Sequence, residues 1–241
     1  MLKKFMFIAG VIALLSSCVG PSPISKLDPQ TKNFTWNYGQ KYIDKTRDSI
    51  RFSIAFNKNA GNDLVFDVEV INRSSDSILV SPEAFFYKAM NEYGTMLGRY
   101  VYAVNPEKML LEVDKELARE EAHQANQAIV DLVSTTTEAA ATVATLDENP
   151  HKKQALYNEI NYNRHQREMN AMNSEQRVHS LNAERNFWED KVLRTTELAP
   201  GYSIKGKVYF ERNINAVYYE FKFPIGNQVF KIKYKQLLHK R

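Results

Sequence analysis

The chain of 241 residues contains a single cysteine, Cys18. One thiol excludes an intramolecular disulfide, so burial has to stabilise the fold. Glycine is sparse and scattered: Gly61, Gly94, Gly98, Gly201 and Gly206 stand singly, without a following helix signature. That excludes a glycine-rich phosphate loop, and no Gly-x-Ser-x-Gly elbow exists for a serine nucleophile. The five histidines are dispersed, and no Ser–His–Asp set can be assembled from sequence. What the chain has in quantity is apolar matter, 44% hydrophobic and 12% aromatic residues. That is enough for a core and excludes wholesale disorder.

The apolar residues begin at once. Lys3 and Lys4 precede an unbroken small or apolar run, Phe5–Leu15, which ends in Leu15-Ser16-Ser17-Cys18. The run is too short to span a bilayer and has the order of parts of a secretory signal. It resembles the bacterial lipoprotein signal, in which a Leu-x-x-Cys box is cleaved before the cysteine and the thiol takes a diacylglyceryl group. The resemblance implies a signal peptide over 1–17, lipidation at Cys18 and a lipid-anchored place in the bacterial cell envelope. Val19 follows where an aspartate would hold some lipoproteins in the inner membrane, which favours the outer membrane. Residues 18–33, with Pro21, Pro23 and Pro29, read as the lipidated cysteine and its tether.

From residue 34 the pattern has a period of two. Phe52, Ile54 and Phe56 alternate with Arg51 and Ser53, and Leu64, Phe66, Val68 and Val70 with Asp67 and Glu69. Asn72–Asp76 and Asn91–Gly94 are turn clusters around strand candidates at 78–80, 84–88 and 97–104. Short alternating runs between polar turns predict antiparallel sheet. At Pro106 the period changes. Asn105 and Pro106 suit a helix N-terminus, and neither glycine nor proline occurs from Glu107 to Leu146, nor from His151 to Val192. Met109, Leu110, Val113, Leu117, Ile129 and Val133 fall near helical spacing on a polar background, so the expected stripe is a narrow seam between two antiparallel helices. The β-branched run Thr135–Thr137 is a candidate bend, and Ala139–Ala144 a site of close helix packing or membrane contact. Alternation returns in 203–210, 216–223 and 228–235.

The predicted fold is therefore α+β: an antiparallel immunoglobulin-like β-sandwich over 34–105 plus 193–236, interrupted by a long antiparallel helical hairpin over 106–192. Leu64–Pro82, and Leu198-Ala199-Pro200-Gly201 followed by Gly206–Phe210, resemble strands of small immunoglobulin-like domains in bacterial lipoproteins. That resemblance implies a fold and carries no functional residue.

Charge supplies the remaining candidates. From Gly201 to Arg241 nine basic residues face only Glu211 and Glu220. Lys205 and Lys207, and Lys231, Lys233 and Lys235, alternate on single strand faces. Shared by one sheet, they would form a basic patch for anionic lipid or acidic glycan, or simply keep the sheet soluble. Export argues against nucleic acid as a partner. Phe34, Trp36, Tyr38 and Tyr42, with Tyr100 and Tyr102, either fill a core edge or stack on sugar rings; alternation at 34, 36 and 38 favours the core. Glu120-x-x-His123, and His165, Met169 and Met172 at i, i+4 and i+7, have metal-like spacing that a solvated helix also produces by chance. No catalytic residue, resident metal or cofactor is expected. The leading expectation is a non-enzymatic envelope lipoprotein whose helical arm contacts a protein partner. A glycan- or surface-binding module and a metal-binding helical bundle are the alternatives.

Overall fold

The structure is a computed structural model describing residues 24–239. The signal and Cys18 lie outside the described residues. Eight strands come first: β1 (Ile24–Pro29), β2 (Thr35–Asn37), β3 (Gln40–Arg47), β4 (Ile50–Ala60), β5 (Asp63–Asn72), β6 (Ile78–Val80), β7 (Phe86–Met90) and β8 (Val101–Tyr102). Helices α1 (Pro106–Ala144) and α2 (Pro150–Asp190) follow, then β9 (Thr196–Leu198), β10 (Ser203–Glu211), β11 (Tyr218–Ile225) and β12 (Gln228–His239).

The strands form two antiparallel sheets. The first runs β1-β12-β11-β6-β9, with β7 also on β11 and β8 on β7; the second runs β10-β5-β4-β3-β2. They pack face to face in a sandwich-like arrangement, because the even-spaced apolar residues of both point inward. Phe52, Ile54, Phe66, Val68, Val70 and Phe210 from the second sheet meet Tyr87, Tyr219, Phe221, Phe223, Phe230 and Tyr234 from the first. Phe66 spans the gap, its ring centroid 4.8 Å from Phe221 and 5.5 Å from Tyr234. Tyr87 and Tyr219 keep their rings in this core by donating from the hydroxyl to the Glu211 and Asn213 carbonyls, at 2.6 Å each.

β1 corrects one expectation. Residues 24–29 fall in the stretch read as tether, yet they pair with β12 from Ile24↔His239 to Pro29↔Tyr234. Leu27 and Pro29 are buried there. The prolines and lysines masked an alternation too short to stand out.

Cross-sheet bonds fix which ends of the strands coincide. The Lys45 ammonium donates to the Lys231 carbonyl at 2.7 Å, Arg47 to Val229 at 3.5 Å, and Lys41 pairs with Asp28 at 2.6 Å. The turns at Asp48-Ser49 and Gly226-Asn227 therefore share one end, the far end. The opposite, entry end holds Ile24 beside His239, the Tyr38-Gly39 turn of the β2–β3 hairpin, and the Asn91–Gly94 turn that follows Met90, the partner of Tyr218.

The helices contain 39 and 41 residues, so each is ~60 Å long at ~1.5 Å per residue. α1 starts as the sequence suggests, and α2 starts the same way: the Asn105 and Asn149 side chains accept from the Lys108 and His151 backbone N–H groups, each ahead of a proline at the first helical position. The Thr135–Thr137 run does not end α1, which continues to Ala144. Each hydroxyl donates to the carbonyl four residues back, at 2.7–3.1 Å, which satisfies it within the helix. The helices touch along their length, Asp114 with Arg185 at 2.9 Å and Glu138 with Arg167 at 2.8 Å. Among the described residues, no helix is long and apolar enough to cross a membrane.

At their base the helices sit on the outside of the second sheet. Leu110, Val113, Trp188 and Val192 bury Val65 and Tyr209 in a second, smaller apolar cluster. The strand that leaves α2 crosses β10 closely. Leu193 N donates to Lys207 O at 2.9 Å and Lys207 N to Lys191 O at 2.8 Å. The sheet thus meets the helices through packed side chains, not through a loop alone.

Candidate binding surfaces

The two lysine ladders lie on different sheets, so the single patch they suggested does not form. Lys205 and Lys207 are on β10 of the second sheet, where they stand opposite Glu69 and Asp67 of β5. Lys207 reaches Asp67 at 2.7 Å. Acidic partners in register thus offset that ladder.

Lys231, Lys233 and Lys235 are on β12 of the first sheet, and its outer face stays basic. In register across β11 and β7, one row reads Lys231, Lys222, Phe86 and Tyr102, and the next Lys233, Glu220 and Lys88. Lys26 and Asp28 add the β1 edge, Asp28 being paired with Lys41. Six lysines therefore share this face with two carboxylates, and Glu220 is itself shared with Lys88 at 3.4 Å. Aromatic rings are interleaved with the charges. Lys233 lies 4.6 Å over the Tyr218 ring and Lys222 5.6 Å over Phe86. Phe86 also packs against Tyr100 and Tyr102, with centroids at 5.2 and 5.5 Å, and both tyrosines are exposed. Cations beside open ring faces can hold an anionic group and stack a flat or ring-shaped ligand at once. Lys222 was legible as the outer alternation of β11. Phe86 and Lys88 were not, because their row exists only once β7 is paired.

The aromatic residues near the start divide. Phe34 packs against the core, as expected. Trp36 and Tyr38, expected there too, are exposed on the β2–β3 hairpin. β2 is an edge strand with no sheet opposite it, so both of its faces stay open.

The helical pair carries the other candidate surface. Its apolar contact is concentrated at the base, with Ile160 of α2 buried farther out. Beyond Leu117 the α1 residues turned toward α2 include Glu120, Gln124, Asp131 and Glu138. Gln124 donates to the Ser174 hydroxyl at 3.1 Å, Ser174 donates to Glu120, and Arg167 bridges Glu138 and Asp131. The Arg167 hydrogen bond holds the Glu138 carboxyl below its ordinary range. Ile129 and Val133, expected in the seam, are exposed with Leu132, Val143 and Leu146. A groove of about 520 Å³ opens between the helices, lined by Val130, Val133, Ala141, Leu156 and Ile160 beside polar Asn163 and Asn170.

The Glu120-x-x-His123 spacing gathers no further ligands. Among the described residues no three His, Cys, Asp or Glu side chains cluster as a metal site, and His123 stands 4.0 Å from Glu120 alone. Comparison with known proteins returns no matching family model, no matching curated protein and no matching solved structure.

Proposed function

We propose that the chain is a non-enzymatic lipoprotein of a bacterial envelope, anchored through Cys18, with a sandwich platform carrying a helical hairpin that contacts a protein partner. One observation carries the reading. The distal α1 helix exposes Ile129, Leu132 and Val133 together, while polar Gln124, Asp131 and Glu138 make much of its contact with α2. Exposed apolar side chains at that spacing gain by covering, and the contact between the helices leaves them open. The hairpin reading is supported by the pairing of early α1 residues with late α2 residues. The immunoglobulin-like reading is supported by the sheet order: β4-β5-β10 on one side and β7-β11-β12 on the other, with the chain crossing between sheets after β1, β5, β9 and β10. The signal resemblance, with Val19 after Cys18, supports the outer membrane as the anchored site.

The test is photo-crosslinking in cells from position 132, with and without serine at Ile129 and Val133. A discrete adduct lost in the double variant, with the chain still in the membrane fraction, is expected. The same adducts in both chains would refute the arm's role. Cys18→Ala is expected to release the chain from the membrane fraction, and full retention would refute the anchor.

A second reading rests on the outer face of the first sheet. Lys222, Lys231, Lys233 and Lys235 beside Tyr102 and Tyr218 suit an acidic glycan or anionic lipid headgroups.

A further inference from the structure

Three of the exposed aromatic side chains outside the helices lie at the entry end of the sandwich, whereas Tyr100 and Tyr102 are on the outer face of the first sheet and Tyr202 is at the far end. Tyr38 is 97% exposed at the tip of the β2–β3 hairpin, Trp36 is 60% exposed on its strand, and Tyr93 is 84% exposed in the turn after β7. Ile214, 42% exposed, lies in the loop before β11 at the same end. The register places them together. Lys41, opposite Trp36, pairs with Asp28; Asp28 stands opposite Lys235, Lys235 opposite Tyr218, and Tyr218 opposite Met90. From that level Tyr38 and Tyr93 both project beyond the sheets. They lie on opposite flanks, because β2 and β3 lie toward the β1–β12 side of the sandwich and β7 toward the other.

These positions are costly for ordinary solubility and well suited to a lipid–water boundary, where tyrosine and tryptophan place an apolar ring in the headgroup layer and a polar atom in water. Cations accompany them. Lys41 lies 4.7 Å over Phe34 and 5.5 Å over Trp36, Lys26 is exposed on β1, and the sequence continues past His239 into Lys240 and Arg241.

The same end receives the chain from Cys18. Ile24, the first described residue, is six residues from Cys18, and six extended residues reach at most ~20 Å. A domain held on so short a leash has its entry end within reach of the headgroups.

We propose that the entry end is a membrane-docking collar: Trp36, Tyr38, Tyr93 and Ile214 seat in the headgroup layer of the membrane that holds the Cys18 lipid, and the exposed Lys26 pairs with lipid phosphates. The sandwich then stands on its end with its strands steep to the membrane. The basic outer face of the first sheet becomes a side wall, open to a soluble or polymeric ligand. The inference rests on the lipid anchor proposed above, and its test separates the two.

Chain lipidated at Cys18 is reconstituted into phosphatidylcholine–phosphatidylglycerol vesicles carrying a spin label near the headgroup. Vesicle flotation reports the anchor. The difference in fluorescence quenching between the wild type and Trp36→Phe isolates Trp36 from the buried Trp188. The expected result is flotation with the Trp36 emission reduced at least about twofold. A second probe, Leu79→Trp in the Trp36→Phe chain, sits at the far end, where the Leu79 carbonyl accepts from Gly226 N at 3.1 Å; its emission is expected to stay unquenched. Flotation with unquenched Trp36, or with equal quenching at positions 36 and 79, overturns the collar and leaves the anchor standing. A chain that does not float overturns both.

Discussion

Gly206 is the residue whose replacement tests the junction between sheet and helices most directly. It sits in β10 with ordinary backbone geometry, whereas six other glycines have positive φ. It is therefore needed for space and not for conformation. A Cβ built there would lie 2.5 Å from Leu193 N, 2.7 Å from Leu193 Cα and 2.9 Å from Val192 C. All three atoms are backbone, so no side-chain rotation relieves the contact. The returning strand has to move off β10, which breaks the two hydrogen bonds that join Lys207 to Lys191 and Leu193. Two backbone hydrogen bonds are worth about 2 kcal/mol net, and overpacking adds about 1–3 kcal/mol. Gly206→Ala is thus expected to cost about 3–5 kcal/mol. In a domain of this size that lowers Tm by roughly 10 °C.

The assay is thermal unfolding followed by near-ultraviolet circular dichroism, with Gly39→Ala as comparison. Gly39 has φ +76° with nothing within 4 Å of its Cβ position, so that variant meets backbone strain alone, about 1 kcal/mol. Gly206→Ala at or above the stability of Gly39→Ala would refute the close crossing and, with it, the packing of helices against β10.

Acid is expected to loosen the same junction. Arg194 donates to both carboxylate oxygens of Glu107, at 2.9 and 2.6 Å, and this bond lowers the Glu107 pKa. A lowered folded pKa means the contribution is complete above the unfolded carboxyl value of ~4.3 and is lost as pH falls through the folded one. Both side chains are more than a third exposed, so the pair and its place in the first turn of α1 are worth about 1 kcal/mol or less. Glu107→Gln should lower Tm slightly at pH 7 and make no difference well below pH 4; an equal gap at both would refute the assignment. Trp188→Ala removes the largest side chain of the second cluster, at about 3–5 kcal/mol. Amide exchange should rise first at 106–117 and 181–192, and equal acceleration in β11 would show that the two clusters unfold as one. Changing Lys231, Lys233 and Lys235 together to Gln should alter stability by no more than about 0.5 kcal/mol per site. It should advance elution from a sulfated polysaccharide column at low salt, and unchanged elution would leave solubility as their role.

The strands were legible where one face is buried. The 64–70 and 216–223 alternations fall on β5 and β11 with a shift of about two residues at the ends of β11, because a period of two with phenylalanine or valine on one face has one stable use. β1 and β8 were poorly legible for the opposite reason. Ile24–Pro29 buries too few residues to show a period, and Val101–Tyr102 is a strand only because β7 offers it an edge. Val65 shows a deeper limit. It lies between Leu64 and Phe66 with the outward parity of Asp67 and Glu69, and nothing local says that an outward valine will be covered by Trp188, more than a hundred residues away.

The binding surfaces were less legible, and the lysines show why. Alternation tells which strand face a residue occupies but not which sheet the strand joins. Lys205 and Lys207 looked like companions of Lys231, Lys233 and Lys235, yet β10 pairs with β5 and meets its carboxylates, while β12 pairs with β11 and meets Tyr218 and Lys222. The identity of the neighbouring strand decides whether a row of lysines is neutralised or presented. Trp36 and Tyr38 fail by the same rule in reverse. Their alternation with Thr35 and Asn37 is that of a half-buried strand, and burial never follows because β2 is the last strand of its sheet. An aromatic pattern on a terminal strand is thus a different observation from the same pattern on a central one. Terminal strands leave such side chains free for a surface outside the protein.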